Sequence, residues 1–212
     1  MRTLIAIPCM DTVHTLFLQS ILGLSLDSGE VRYGTSCSSL IYNARNSLAK
    51  MAVDEEYDRV LWLDSDMVFD SDLLNRLSAD LDAGPVFVSG LYFGRKNPIN
   101  PVIYKETGYD SSEDGSRLIP FAKSYDDYPH DDLFEIKGAG FGAVMMSTDL
   151  IRQVYAKYGA PFAPMPGFGE DLSFCRRCEE LGVTMYCDSR IKLGHVAYSV
   201  VTEDRYMAGA VL

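Results

Sequence analysis

The sequence predicts an α/β protein with a mixed, mostly parallel central sheet and helices on both faces. Three observations predict it. Over the first ninety residues, short apolar runs alternate with longer stretches of helical period. The 212 residues are 47% apolar, enough for one sizeable core and so for a single domain. No internal repeat, low-complexity tract or linker rich in Pro, Gly or Ser divides the chain.

Taken in order, Thr3 to Pro8 is an apolar run ended by proline and predicts a strand, and Val13 to Leu26 carries Leu16, Phe17, Ser20, Ile21 and Leu24 at helical spacing. Val31 to Tyr33 predicts a second short strand. Leu40 to Val53 repeats the helical period through Leu40, Ile41, Ala44, Leu48 and Met51. Arg59 to Leu63 is a compact apolar run ending in acids, which predicts a central strand. A helix over Asp70 to Asp82, capped by Asp70 or Ser71, and a strand over Pro85 to Ser89 follow. Residues 94 to 132 hold five prolines and glycines after Pro98 and many Asp and Tyr, and predict loops and short strands over the sheet edge, where binding specificity tends to lie. Beyond them the patterns predict a strand over Leu133 to Lys137, a glycine-rich turn, a strand over Ala143 to Ser147 and a helix over Thr148 to Tyr158. A proline-bearing loop, a helix over Glu170 to Leu181, and strands over Thr184 to Cys187 and Ile191 to His195 complete the chain.

The net charge of −11 argues against a main role in gripping nucleic acid or an anionic membrane. No run of about 18 apolar residues exists, and Leu4 to Met10 is interrupted by Pro8 and closed by Asp11, so neither a membrane span nor a secretory signal is expected. A soluble, cytoplasmic chain is the expectation. Five cysteines, an odd number, then predict reduced thiols; Cys175 and Cys178 form a C-x-x-C inside a helical pattern with no partner motif at zinc spacing, and read as buried small apolar residues. The acids at Asp54 to Asp58 and Asp126 to Asp132 read as a solvated surface.

The segment that points to chemistry is Val60-Leu-Trp-Leu-Asp64-Ser-Asp66. In an extended chain residues i and i+2 share a face, so a strand leaving the core in D-x-D presents two carboxylates at the carboxyl edge of the sheet, where α/β sheets bind ligands. Two like charges that close call for a cation, and oxygen ligands suit Mg²⁺ or Mn²⁺, which can in turn hold a diphosphate. The competing reading has both acids capping the next helix or decorating a loop. Glu170 and Asp171 open a helix behind Gly167 and Gly169, a placement the helix dipole favours even without function. His195 closes a strand and reads equally as a satisfied structural residue.

In order along the chain, these pieces resemble a GT-A type glycosyltransferase of the small bacterial and phage, family-2-like kind. The resemblance rests on I-P-C-M-D (Ile7 to Asp11), Asn43-Ala-Arg45-Asn46, L-W-L-D-S-D-M (Leu61 to Met67) and V-S-G-L-Y-F-G-R-K (Val88 to Lys96). It continues through G-A-G-F-G-A-V-M-M (Gly138 to Met146), G-E-D-L-S-F-C-R-R-C-E-E-L-G (Gly169 to Gly182) and L-G-H-V (Leu193 to Val196). It implies one Rossmann-like GT-A domain whose residues 1–96 bind a nucleotide sugar and whose residues 97–212 face the acceptor. Metal-dependent transfer of a sugar from a nucleotide diphosphate, a UDP-sugar by the family's habit, to a saccharide or other hydroxyl acceptor would follow. It assigns Asp64, Asp66 and His195 to the metal, and Mn²⁺ fits the imidazole somewhat better than Mg²⁺. Pro8, Met10, Asp11, Arg45, Ser65, Lys96 and Gly140 would join Asp64 and Asp66 in binding the donor. Asp171, with Glu170 beside it, would take the acceptor's proton if the anomeric configuration inverts, and would orient a sugar hydroxyl if it is retained. Arg45 is open to a second reading as a solvent-facing arginine, and the glycines 138, 140 and 142 to one as a plain turn.

Two other functions compete. A haloacid-dehalogenase-like phosphatase also ends an apolar strand in D-x-D, but there the motif opens the chain, whereas here it follows about sixty residues, and Met67 and Val68 stand in place of a Gly-Thr pair. A nucleotide-sugar or carbohydrate binding module would use the same acids without turnover.

Overall fold

The computed structural model describes residues 1–26, 29–95 and 97–197. A seven-stranded sheet is the frame. Strands β1 (Arg2–Cys9), β2 (Glu30–Cys37), β3 (Arg59–Leu63), β5 (Phe87–Leu91) and β11 (Met185–Lys192) run parallel, and β8 (Leu133–Ile136) and β10 (Ala143–Ser147) run against them. The spatial order is β2-β1-β3-β10-β5-β11-β8. Both faces of the inner strands are buried, which is why they read as unbroken apolar runs. In β1, Leu4 and Ala6 enter one core with helices α2 (Ile41–Asp54), α4 (Thr148–Tyr158) and α5 (Glu170–Glu180). Ile5 and Ile7 enter a second core, on the other face, with α1 (Thr15–Leu22) and α3 (Leu73–Asp82). In β3, Val60 and Trp62 divide from Leu61 and Leu63 in the same way.

Strand β10 is antiparallel because the chain reaches it from the carboxyl rim. A small rim sheet, β7-β6-β9, is formed by β6 (Ile103–Ser111), β7 (Leu118–Ser124) and β9 (Gly138–Ala139). From β9 the chain turns into β10, whose first residue, Ala143, pairs with the last of β3, Leu63. The stretch expected to form loops and short strands is therefore largely a nine- and seven-residue hairpin.

Three further expectations are corrected. The strands expected over Thr184–Cys187 and Ile191–His195 are one strand, β11, with a register shift between Asp188 and Lys192, followed by β12 (Gly194–His195). The polar stretch between them stays in the sheet because its buried groups are satisfied: Ser189 Oγ donates to Pro129 O at 2.7 Å, and Asp188 accepts from Arg190 Nε at 2.8 Å. Helix α3 starts at Leu73 with Asp72 in the capping position and no side-chain cap bond, so neither Asp70 nor Ser71 caps it. Strand β2 is eight residues long where three were expected; it lies at the edge of the sheet with only Gly34 buried, and so lacks an apolar signature along its length. Among the described residues no helix is long and apolar enough to cross a membrane.

Candidate active site

The D-x-D segment does not extend β3. Asp64 N donates to Gly142 O at 3.1 Å and Met67 N to Asp64 O at 3.2 Å, so residues 64–67 form a tight turn leading into β4 (Met67–Val68). The turn corrects the extended-chain expectation and separates the two carboxylates. It is fastened from two sides. His14 N donates to Ser65 O at 3.0 Å, and β12 pairs antiparallel with β4, so that His195 stands opposite Met67 and Val196 N donates to Asp66 O at 2.9 Å. Three distant stretches of chain thus meet at the carboxyl rim of the sheet.

Asp64 turns toward the core. Arg45 lies on the buried face of α2 with Leu48, Ala49 and Ala52, and its side chain is only 2% exposed. Its Nη2 donates to Asp64 Oδ1 at 2.7 Å and its Nε to Glu170 Oε1 at 3.2 Å. The guanidinium carbon lies 5.1 Å from the centroid of Phe141, with the Trp62 and Phe162 rings around it. Burial alone would lower the pKa of Arg45, but Asp64, Glu170 and Asp171 together raise it. The same burial pushes Asp64 upward and Arg45 opposes it. Arg45 is therefore not a solvent-facing side chain: it is a buried cation bridging Asp64 and Glu170 at the wall of the cavity.

Asp66 turns the other way. Its Oδ2 is 2.8 Å from Arg95 Nη1 and 3.5 Å from His195 Nε2. Burial pushes its carboxyl up, yet the bond from His195 and the charge of Arg95 hold it below the usual carboxylate range. His195 Nδ1 lies 2.9 Å from Phe93 O, so the ring sits between two acceptors, Asp66 first among them, and its pKa is raised. Nε2 faces Asp66; with Nδ1–H given to a backbone carbonyl, the neutral form would turn an Nε2 lone pair toward that carboxylate, the second-sphere arrangement common to metal-bound histidines.

These groups line a cavity of about 420 Å³. It brings together Pro8, Met10, Arg45, Asp64, Ser65, Asp66, Glu170 and His195 from the expected set, and adds Cys9, Ser38, Ser39, Ile41 and Arg95. Asp11 is exposed and does not line it. Gly140 does not line it either: a Cβ there would stand 2.0 Å from Tyr92 Oη, so this glycine makes room for the tyrosine. Lys96 lies outside the described residues. Asp171 is not among the lining residues; it is half-buried next to Glu170 in the first turn of α5, and accepts from Leu172 N at 2.7 Å. Burial, and then the neighbouring Glu170, raise its pKa to about 6. A second cavity of about 480 Å³ adjoins the first, sharing Arg95 and His195 as a wall and reaching Tyr92, Val102, Tyr104 and Ser124. The Arg-Lys pair after β5 was the one signal for Arg95, and it does not say which of the two faces inward.

Among the described residues no three His, Cys, Asp or Glu side chains are grouped closely enough to hold a metal ion. The donor chemistry nonetheless fits a divalent ion of the Mg²⁺ or Mn²⁺ type, which is held by one or two protein groups plus substrate phosphates: Asp66 and His195 face each other with the imidazole already oriented. All five cysteines are free, and Cys175 and Cys178 are buried.

No protein-family model matches the sequence, and no curated protein matches it. Solved structures do resemble it. "A197 from STIV" superposes with a TM-score of 0.61 at 18% identity, covering 93% of this chain and 87% of that one. "GalNAc-T7 with UDP, GalNAc and Mn2+" superposes with a TM-score of 0.61 at 9% identity, covering 93% of this chain, which spans only 43% of that protein. At these identities the likeness shows the fold, and the chain has a GT-A-like α/β fold with a mostly parallel seven-stranded sheet.

Proposed function

We propose that the chain is a metal-dependent glycosyltransferase that moves a sugar from a nucleotide-diphosphate sugar, with UDP the first candidate, to an acceptor hydroxyl. The observation that carries the reading is the Asp66–His195 pair, oriented by Phe93 O at the carboxyl rim of a GT-A-like sheet. The solved neighbour that binds UDP, GalNAc and Mn²⁺ supports the ligand class.

In this reading Pro8, Met10, Ser38, Ser39 and Ile41 flank the nucleotide, and Arg95 faces the diphosphate. Asp66 and His195 would hold Mn²⁺ or Mg²⁺, while Asp64 is held away from them by Arg45. The ion supplies positive charge that offsets the negative charge developing on the leaving diphosphate. Asp171 takes the proton of the attacking acceptor hydroxyl if transfer inverts, because a carboxyl held near 6 is ionised at neutral pH and still basic enough to accept. The second cavity, walled mostly by residues of the 97–212 half together with Tyr92, Gly94 and Arg95, takes the acceptor.

The test is turnover: incubation with UDP-sugars and Mn²⁺, following release of UDP. Release that is abolished by chelation and by Asp66→Asn supports the reading. Tight, Mn²⁺-dependent UDP binding with no release over hours supports a binding module instead, a reading favoured by the absence of Asp171 from the cavity lining. Phosphate release from a phosphomonoester without sugar transfer supports a phosphatase.

A further inference from the structure

Cys9 and Cys37 are the last residues of β1 and β2, and they are direct partners in the parallel register. Their sulfurs are 3.6 Å apart. Adjacent strands stand about 4.7–4.9 Å apart, within the Cα separation of about 4.4–6.8 Å that a disulfide spans. Bond formation therefore asks for side-chain rotation and the last part of the sulfur approach, with no change in strand pairing. The two thiols differ in access: Cys37 is exposed, whereas Cys9 is buried and lines the 420 Å³ cavity. The remaining cysteines, Cys175, Cys178 and Cys187, are sealed in the core at 0% exposure.

We propose that Cys9 and Cys37 are a thiol–disulfide couple in the wall of the cavity, in which Cys37 captures a low-molecular-weight disulfide and Cys9 resolves it into a Cys9–Cys37 bond. With oxidised glutathione, the Cys37 thiolate attacks one sulfur of the glutathione disulfide, forming a mixed disulfide and expelling one glutathione thiolate. The Cys9 thiolate then attacks Cys37 Sγ, forming the intramolecular bond and expelling the second glutathione thiolate. Two protein thiols lose two electrons and two protons, and one glutathione disulfide becomes two glutathione thiols. Burial holds the Cys9 thiol up at about 11, with the Cys37 thiol and Asp11 adding to it, so resolution is the slower step. The product ties the segment Pro8–Met10 to Ser38 and Ser39, which together wall one side of the cavity. The couple stands whether or not the chain transfers sugars.

The experiment is incubation of the full chain with excess oxidised glutathione, read by intact mass and by mapping of alkylated peptides. The wild type is expected to pass through a species about 305 Da heavier and to end about 2 Da lighter, with Cys9 and Cys37 peptides linked and the change reversed by dithiothreitol. Cys9→Ser is expected to stop at the mixed disulfide on Cys37. Cys37→Ser, a change at an exposed position, is expected to keep the wild-type Tm and to stay unmodified. A wild type that ends as the mixed disulfide overturns the proposal, as does linkage through any other cysteine. So does a folded chain that never reacts under conditions in which the urea-unfolded chain does.

Discussion

A guanidinium that is 2% exposed and bonded to two carboxylates is costly to remove, because the acids it neutralises stay behind. Arg45→Met is expected to destabilise the chain by about 3 kcal/mol, read as a loss of denaturation midpoint at unchanged slope. Arg45→Lys is expected to recover only part of this, since one ammonium cannot bond both Asp64 and Glu170 as the planar fork does. Asp171 behaves in the opposite sense. Its folded pKa, about 6, lies above the ordinary carboxylate value, so the folded state favours the protonated form; that contribution is complete below pH 4 and is lost as pH rises through 6. At pH 7 Asp171→Asn should therefore raise stability by about 1–2 kcal/mol while lowering transfer about 10²- to 10⁴-fold. Loss of both stability and activity would mark Asp171 as structural. For the wild type the same group predicts transfer rising with pH through about 6. At this scale the sequence announces which side chains matter but not whom they face. Arg45 was singled out from its place in Asn43-Ala-Arg45-Asn46, but neither its burial nor its bond to Glu170, 125 residues away, was legible.

Elements whose pattern is purely hydrophobic were legible to the residue: β3, β10 and α4 occupy the spans their periodicity predicts. Elements held by polar bonds or by edge pairing were not. Strand β11 passes through Asp188-Ser-Arg190, which looks like a break until its side-chain bonds are seen, and β4 and β12 are too short to carry a period. That unreadable two-residue pairing is what brings His195 to Asp66. The glycine-rich turn before β10 has a packing reason. A Cβ on residue 140 would meet Tyr92 Oη at 2.0 Å and Val102 Cγ1 at 2.7 Å. Gly140→Ala is accordingly expected to cost about 1–3 kcal/mol by overpacking, and Tyr92→Phe to restore part of it in a double-mutant cycle. Additive losses in that cycle would show that the tyrosine hydroxyl is not the obstacle.

For the whole molecule, alternation of strand and helix was enough to foresee an α/β layer with both faces covered, and the acids at the end of β3 were enough to point to the rim where the 420 Å³ cavity lies. The antiparallel β8 and β10 and the β6–β7 hairpin were not foreseeable, because they depend on where the chain re-enters the sheet, and no local pattern encodes that. What the fold achieves is to turn two neighbouring acids apart, Asp64 onto a buried cation and Asp66 toward an imidazole, and to leave a cavity between them. The most direct test of this arrangement is a thermal-denaturation screen of nucleoside diphosphates, with and without Mn²⁺, on the wild type, Asp66→Asn and His195→Ala. One diphosphate at about 100 times its Kd should add about 2.7 kcal/mol to the wild type only when Mn²⁺ is present, and neither variant should show that gain. Stabilisation that is indifferent to Mn²⁺, or that persists in both variants, would contradict the proposed role of Asp66 and His195.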